Sequence, residues 1–476
     1  MISLFILVPL TSVILLNLFK GSLINKIACW FGMLLTLVQI YLIVFPVTCF
    51  WDNLSNPLGN YFILNLSADT LSKVMLLMIG IVTFISLMIG QYTYHEETQK
   101  FNFANLIILA LSGMNGIVLV TDIFSLYVFI EVVAVASFIL ICLYKDKAGF
   151  ESAFKYIILS IAATVFMLLS IVLLFLISGD TTFTAINIAS KNPTYGFILV
   201  VAIGLFTCGA FTKGGLVPFH SWLPDAHSSA PTSISILLSG IVIKVSGLYP
   251  LIRLLTMTGG GNESIKNILL IVGTVSILVG ALAALGQNDI KRMLAFSSVS
   301  QMGYIVLSLG TGTMLGLVGA VFHMFNHSVF KSQLFANSAA VEKQTGTRDM
   351  NKLGGIAQKM PFTGTTSIIG MLSICGIPPL AGFWSKLIIV IALWQTAHYG
   401  YAFVAVIASV ITLAYFLSLQ RRVFFGKIAS GLENIKEAKA GLIIPVVILA
   451  AVTILVGIFF PFIMEKLIMP VGDILK

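Results

Sequence analysis

Five ionisable residues of this 476-residue chain fall deep inside apolar runs: Lys213, Lys244, Lys331, Lys386 and, alone among the acids, Glu131. His323 and His327 share the run of Lys331, spaced four and four, so all three line one helix face. An ionised group at the bilayer centre costs roughly 2.5–3.5 kcal/mol on insertion scales. A chain does not carry five such costs without compensation, and proton transfer is the chemistry they suit. Burial disfavours a lysine's charged form and a nearby carboxylate favours it. Changing their separation, or the local water content, therefore loads and unloads a proton. Glu131 has no opposite charge at helical spacing on its own span, so its expected partner is a lysine from another helix. Blander readings stand beside these. Lys331 nears the inner end of its run and can snorkel, the histidines can be satisfied core residues, and Glu131 can serve a structural pair.

Two of the lysines sit beside helix breakers. Lys213 is followed at once by Gly214, Gly215 and Pro218. Lys386 repeats the pattern in mirror order, after Gly376, Pro378, Pro379 and Gly382. Proline and clustered glycine interrupt a helix, and freed backbone groups at membrane depth survive only where they line protein or a water cavity. Interrupted spans in both halves of one chain point to inverted repeats and a transport site. Lys244 lies near the centre of its own span, too deep for easy snorkelling.

The elements that must hold these residues are set by composition. Hydrophobic residues make up 58% and charged residues 9%, against roughly 25% charged in an average soluble domain. That excludes a soluble enzyme and a disordered chain and predicts an all-α polytopic membrane protein. Candidate spans fall near 2–19, 27–48, 71–91, 102–121, 123–144, 154–178, 197–213, 232–256, 267–286, 291–310, 313–337, 364–398, 401–420 and 440–464. The seventh continues as a broken segment to 226, and the twelfth is interrupted. Fourteen spans place both termini on one side, and the basic residues choose the outside for them. The inner loops then hold 17 lysines and arginines, Lys291 among them, and the outer loops six, Arg253 among them. The net charge of +9 is thus read as basic inner loops in a multi-pass protein of the cell membrane, not as nucleic-acid binding. The N-terminus reads as a first membrane helix, not a removed signal peptide.

No soluble domain is expected. The longest polar stretch is 338–362, and the 425–440 loop is read as an amphipathic surface helix. Cys29, Cys49, Cys142, Cys208 and Cys375 form no C-x-x-C, so neither a disulfide framework nor an iron–sulfur or zinc site of the chain's own is expected. No P-loop, dinucleotide fingerprint or nucleophile–His–acid triad appears.

Longer motifs then carry a resemblance. Phe211-Thr-Lys-Gly-Gly-Leu-Val-Pro-Phe-His-Ser-Trp-Leu-Pro-Asp-Ala-His-Ser-Ser-Ala-Pro-Thr (211–232) resembles the broken seventh helix of the antiporter-like subunits of complex I, energy-converting membrane-bound hydrogenases and multi-subunit sodium/proton antiporters. Asp289-Ile-Lys-Arg-Met-Leu-Ala-Phe-Ser-Ser-Val-Ser-Gln-Met-Gly-Tyr resembles the tenth helix, the run from His323 to Phe335 the eleventh, and Gly376-Ile-Pro-Pro-Leu-Ala-Gly-Phe-Trp-Ser-Lys the twelfth. The likeness covers about 100–420. It implies N-terminal helices over 1–101, inverted five-helix repeats at 102–256 and 267–420 with helices 7 and 12 broken, and a loop and last helix at 421–476. It also implies a coupled Glu131–Lys213 pair, central carriers at Lys244, His323 and His327, and a terminal station at Lys386, where some family members carry glutamate. The segments 223–232 and 239–244 look most like the hydrogenase and formate-hydrogenlyase branch, or the related antiporter subunit.

The leading reading is therefore a proton-translocating subunit without a redox centre of its own. Iron–sulfur and nickel–iron centres would sit in partner subunits of a redox-driven complex. The alternative is a subunit of a sodium/proton antiporter with no redox arm, sodium moving through neighbouring subunits. A quinone- or haem-binding subunit is the third. Two histidines on one helix face are poor haem ligands, and no cluster of buried carboxylates suits sodium.

Overall fold

The structure is a computed structural model that describes residues 2–19, 21–45, 65–94, 96–259 and 262–475. Each expected span is met by a helix. In chain order these are Leu4–Leu18, Ser22–Val44, Thr70–Thr93, Glu97–Leu119, Ile123–Ile141, Lys147–Ser178, Gly196–Gly214 continued by Trp222–Ser229, Thr232–Met257, Glu263–Leu285, Ile290–Leu309, Met314–Thr345, Pro361–Cys375 continued by Ala381–Gln395, Tyr399–Phe424 and Ala440–Ile458. Ten are long and apolar enough to cross a membrane. Ile290–Leu309 and Met314–Thr345 are more polar, and their polar residues face protein: Ser297, Ser298, Ser300, Gln301, His323, His327 and Lys331 are all buried. Cys49 lies outside the described residues.

Short polar caps start the helices. Asp69, Asp122, Asp146 and Asp289 each accept a hydrogen bond from the backbone N–H three residues on, satisfying a donor that the first turn cannot. Two caps also anchor a crossover. Asp122 pairs in an isolated antiparallel bridge with Thr182, and Asp289 with Asp349. In the first, Ile123 N–H donates to Thr181 O (2.9 Å) and Phe183 N–H to Thr121 O (3.0 Å). In the second, Ile290 N–H donates to Arg348 O (3.2 Å) and Met350 N–H to Asn288 O (2.8 Å). The second junction follows five spans after the first, an odd number, so the two lie at opposite ends of the bundle.

The core is the helix Thr232–Met257, buried from Thr232 to Leu255, packed with Met314–Thr345, which is buried without interruption from Gly316 to Val341. Lys147–Ser178 runs along the periphery and exposes Phe154, Ile161, Leu169 and Leu176.

Three expectations are corrected. The 425–439 stretch is not a helix: positive φ at Gly426 and Gly431 turns the chain, and Gly355 N–H and Gln358 Nε2 donate to the carbonyls of Phe425 and Gly426. Lys291 is not a loop residue but lies in the first turn of Ile290–Leu309, 1% exposed. Arg253 belongs to Thr232–Met257 and is buried because Asp69 takes both ends of its guanidinium, Nη2 reaching Asp69 Oδ1 at 2.7 Å and Ser72 Oγ at 2.9 Å.

Candidate functional site

Both helix breaks have the same construction. Gly215 and Gly376 end the first half-helices at φ +68° and +82°, the left-handed region that glycine enters without steric cost. The next amide then reaches back to the carbonyl five residues earlier, Leu216 to Phe211 (2.9 Å) and Ile377 to Leu372 (3.0 Å). Trp222 Nε1 spans the first gap to Thr212 O at 2.9 Å. Ser373 Oγ closes the second by accepting from Gly382 N–H at 3.2 Å.

Lys213 stands in the last turn of its half-helix, where the dipole favours a cation. Its ammonium donates to Ser160 Oγ at 2.5 Å and lies 3.7 Å from Glu131 Oε1. The two partners differ in environment: the lysine side chain is 2% exposed and the glutamate side chain 37%. The pair therefore has a buried cationic end and a glutamate end that is partly exposed, with its Oε1 buried against the lysine.

The centre is held by four helices. Lys244 is wholly buried and donates to two carbonyls of its own helix, Ser239 and Gly240, both at 2.7 Å. Lys331, also wholly buried, donates to Leu294 O at 2.7 Å and lies 5.9 Å from the Phe416 ring centre. The snorkelling reading of Lys331 is thereby corrected: its ammonium is sealed in the bundle because Met314–Thr345 continues well past the expected end of the span. Lys331 lies in electrostatic reach of Lys244, and two ammonium groups so placed would repel. His327 packs edge-on to Phe330 at 5.4 Å and senses both lysines.

One turn along, His323 is fixed at both ring nitrogens, Nδ1 with Ser385 Oγ (2.9 Å) and Nε2 with Gln301 Oε1 (3.1 Å). Ser385 precedes Lys386, so the second broken helix orients the histidine and carries the next lysine. Lys386 Nζ donates to Ser409 Oγ at 3.2 Å and sits 4.6 Å from the Tyr304 ring centre. Tyr304 in turn donates to Ala405 O at 2.6 Å. The seven residues singled out in the sequence thus divide into a Glu131–Lys213 pair, a Lys244–Lys331–His327 centre and a His323–Lys386 end.

Two more groups belong with them. His227 is fully buried, stacks on Phe335 at 4.9 Å and interacts with Lys244, Lys331 and Lys291. Lys291 donates to Ala230 O and lines a cavity of about 580 Å³ with Tyr144, Asp146, Glu342, Lys343 and Arg348. The cavity lies at the end of the bundle that the basic loops predict to be inside. Burial, with the nearby Glu342 and Asp146 charges, pushes the Tyr144 hydroxyl up to about 12, so it keeps its proton. Sequence reasoning missed both residues. His227 could have been found by carrying the broken seventh span one residue past 226, and Lys291 by noting that Asp289 caps a helix whose first turn contains it.

Residues 120–412 match the family model described as NADH:quinone oxidoreductase/Mrp antiporter, TM. The chain is 31% identical over 406 residues to a Na(+)/H(+) antiporter subunit of Alkalihalophilus pseudofirmus, covering 84% of this chain and 82% of that one. It is 30% identical over 372 residues to an NADH-quinone oxidoreductase subunit of Desulforudis audaxviator, covering 75% and 74%. A chain of the Mrp complex from Dietzia sp. DQ12-45-1b has the same fold, with a TM-score of 0.90 over 100% of this chain and 97% of that one at 22% identity.

Proposed function

The chain belongs to the NADH:quinone oxidoreductase/Mrp antiporter membrane family, and on that footing we propose that it moves protons along its buried lysines and histidines as one subunit of a larger complex. The observation that carries this is the set Lys213, Lys244, His327, Lys331, His323 and Lys386, every member under one tenth exposed and the outermost two seated at the two helix breaks. Glu131 sets the charge of Lys213, the centre relays, and Lys386 is the terminal station toward the outside. The cavity at Lys291 is the entrance from the inner face. The matching junctions at Asp122 and Asp289, and the matching breaks at Gly215 and Gly376, support two inverted repeats over 102–256 and 267–420. In this reading the protein resides in the cell membrane with both termini outside.

The work is supplied by electron flow in partner subunits that carry the iron–sulfur clusters, as expected of a relative of an NADH-quinone oxidoreductase subunit. Similarity to an antiporter subunit over 82% of that subunit's length favours a second source, an opposing ion gradient. Mass spectrometry of the intact complex, gently solubilised through a tag on this chain, separates the two. Co-purifying iron–sulfur subunits support the first, and a set of small hydrophobic subunits alone supports the second. Lys213→Ala and Glu131→Ala are expected to abolish coupled ion movement with the complex still assembled. Intact pumping in either variant overturns the roles given to the pair.

A further inference from the structure

Helix Thr232–Met257 departs from α geometry on both sides of Lys244. Leu238–Val242 and Lys244–Leu248 are π-helical turns, in which an N–H bonds five residues back instead of four. The consequence can be followed atom by atom. In an α-helix the Ile243 amide would bond Ser239 O. Here it bonds Leu238 O instead. The Ser239 carbonyl thereby loses its α partner in the buried middle of the helix, where an unpaired backbone oxygen is costly. The Lys244 ammonium takes it at 2.7 Å, with the Gly240 carbonyl at 2.7 Å beside it.

We propose that the Leu238–Val242 π turn is the positioning element for Lys244, vacating the Ser239 carbonyl to seat the ammonium, and that the turn and the lysine's charge stabilise each other. A charged Lys244 holds the turn open. When its proton passes to a neighbouring base, the amine keeps only weaker N–H donors, its hold on the Ser239 carbonyl loosens, and the Ile243 amide can compete for that carbonyl. The titratable groups in electrostatic reach of Lys244 are Lys331, His327 and His323 from Met314–Thr345 and His227 from Trp222–Ser229. Each can accept that proton, and none of them supplies a carboxylate that would hold the ammonium in place of the carbonyls.

The surroundings oppose loss of the turn by sliding. At one end Thr232 Oγ1 donates to Glu342 at 3.0 Å. At the other, Arg253 is tied to Asp69 and Ser72, and Tyr249 donates to Val118 O at 2.8 Å. Between them a Cβ on Gly240 would meet Ser332 Oγ at 2.6 Å, and one on Gly247 would meet Gly214 N at 2.6 Å. The second of these contacts touches the residue next to Lys213. A change in this helix's turn geometry is therefore felt at the first helix break as well as at the centre.

The inference rests on Lys244 acting as a proton station, and its test does not use transport. The whole complex, reconstituted in lipid with isotope label at Ser239 and Ile243, is compared by solid-state NMR as wild type, Lys244→Gln and Lys244→Leu. The glutamine keeps a donor for the vacated carbonyl, and the leucine does not. The expected result is a change in the Ser239 carbonyl and Ile243 amide shifts toward α-helical values in the leucine variant, with a smaller change in the glutamine variant, which keeps a donor but not the charge. Wild-type Ile243 shifts in the leucine variant overturn the inference. So does an equal change in both variants. Proton flux in the same vesicles tests the station reading separately, because a π turn that survives in Lys244→Gln without flux leaves the positioning claim standing.

Discussion

A lysine sealed in a protein interior must find oxygen or an aromatic face, and Lys331 finds Leu294 O and the ring of Phe416. A glutamine there keeps a donor but cannot take up or deliver a proton. Lys331→Gln is therefore expected to lower coupled proton flux about tenfold or more while leaving the complex assembled, as measured in proteoliposomes. Flux near wild type would return Lys331 to a structural role. This residue also marks what was legible beforehand. The type and spacing of His323, His327 and Lys331 placed them on one face, and the helix bears that out. The depth of Lys331 was not legible, because hydropathy places the end of the run near 337 while Met314–Thr345 continues to a glycine C-cap at Gly346. Lys291 failed for the opposite reason: a charge next to Arg292 looks like a loop until the neighbouring crossover covers it.

At the scale of elements, two clamps hold the helices that carry the site. Burial alone would raise the Asp69 carboxyl, but the Arg253 guanidinium and the Ser72 hydrogen bonds together outweigh it, holding the group below its usual value of 3.8. A carboxyl lowered by folding contributes stability that is complete above its unfolded value and lost as pH falls through the folded one. Asp69→Asn is thus expected to lower the thermal midpoint of the complex at neutral pH and to converge with wild type in acid below the lowered value. Breaking a buried pair typically costs about 3–5 kcal/mol, and less is expected here because the Asp69 side chain is 34% exposed. An equal midpoint for both proteins at neutral pH would remove the clamp. The second clamp is Glu437, whose carboxylate accepts from Phe362 N–H (2.8 Å) and Thr363 Oγ1 (2.7 Å) at the start of Pro361–Cys375. Glu437→Ala is expected to destabilise that helix end by ~1 kcal/mol, seen as faster amide exchange over 361–365. Sequence reading gave the charged 425–440 stretch an amphipathic surface helix of its own. In the structure one of those charges caps another helix, a long-range use that local periodicity does not record.

The exposed surface of the whole molecule is that of a subunit with neighbours. Phe124, Val128, Val135 and Ile139 are the exposed large residues of Ile123–Ile141, and at helical spacing they form one outward stripe with Glu131 at its middle. A glutamate side chain 37% exposed in the centre of an apolar stripe faces hydrocarbon unless protein covers it, and hydrocarbon is the costlier surrounding. Lys213 compensates one side of the carboxylate and leaves the other open. The stripe is accordingly expected to lie against another membrane subunit that brings a basic or hydrogen-bond-donating side chain to Glu131. Single cysteines at Val128 and Val135, seven residues apart on the stripe, should cross-link to a neighbouring subunit in the native membrane, whereas a cysteine at Leu176 on the peripheral helix, 70% exposed, should react with a lipid-soluble maleimide instead. Maleimide labelling at all three positions with no cross-link would place Glu131 against lipid, and its pairing with Lys213 would then have to carry the whole cost of its burial.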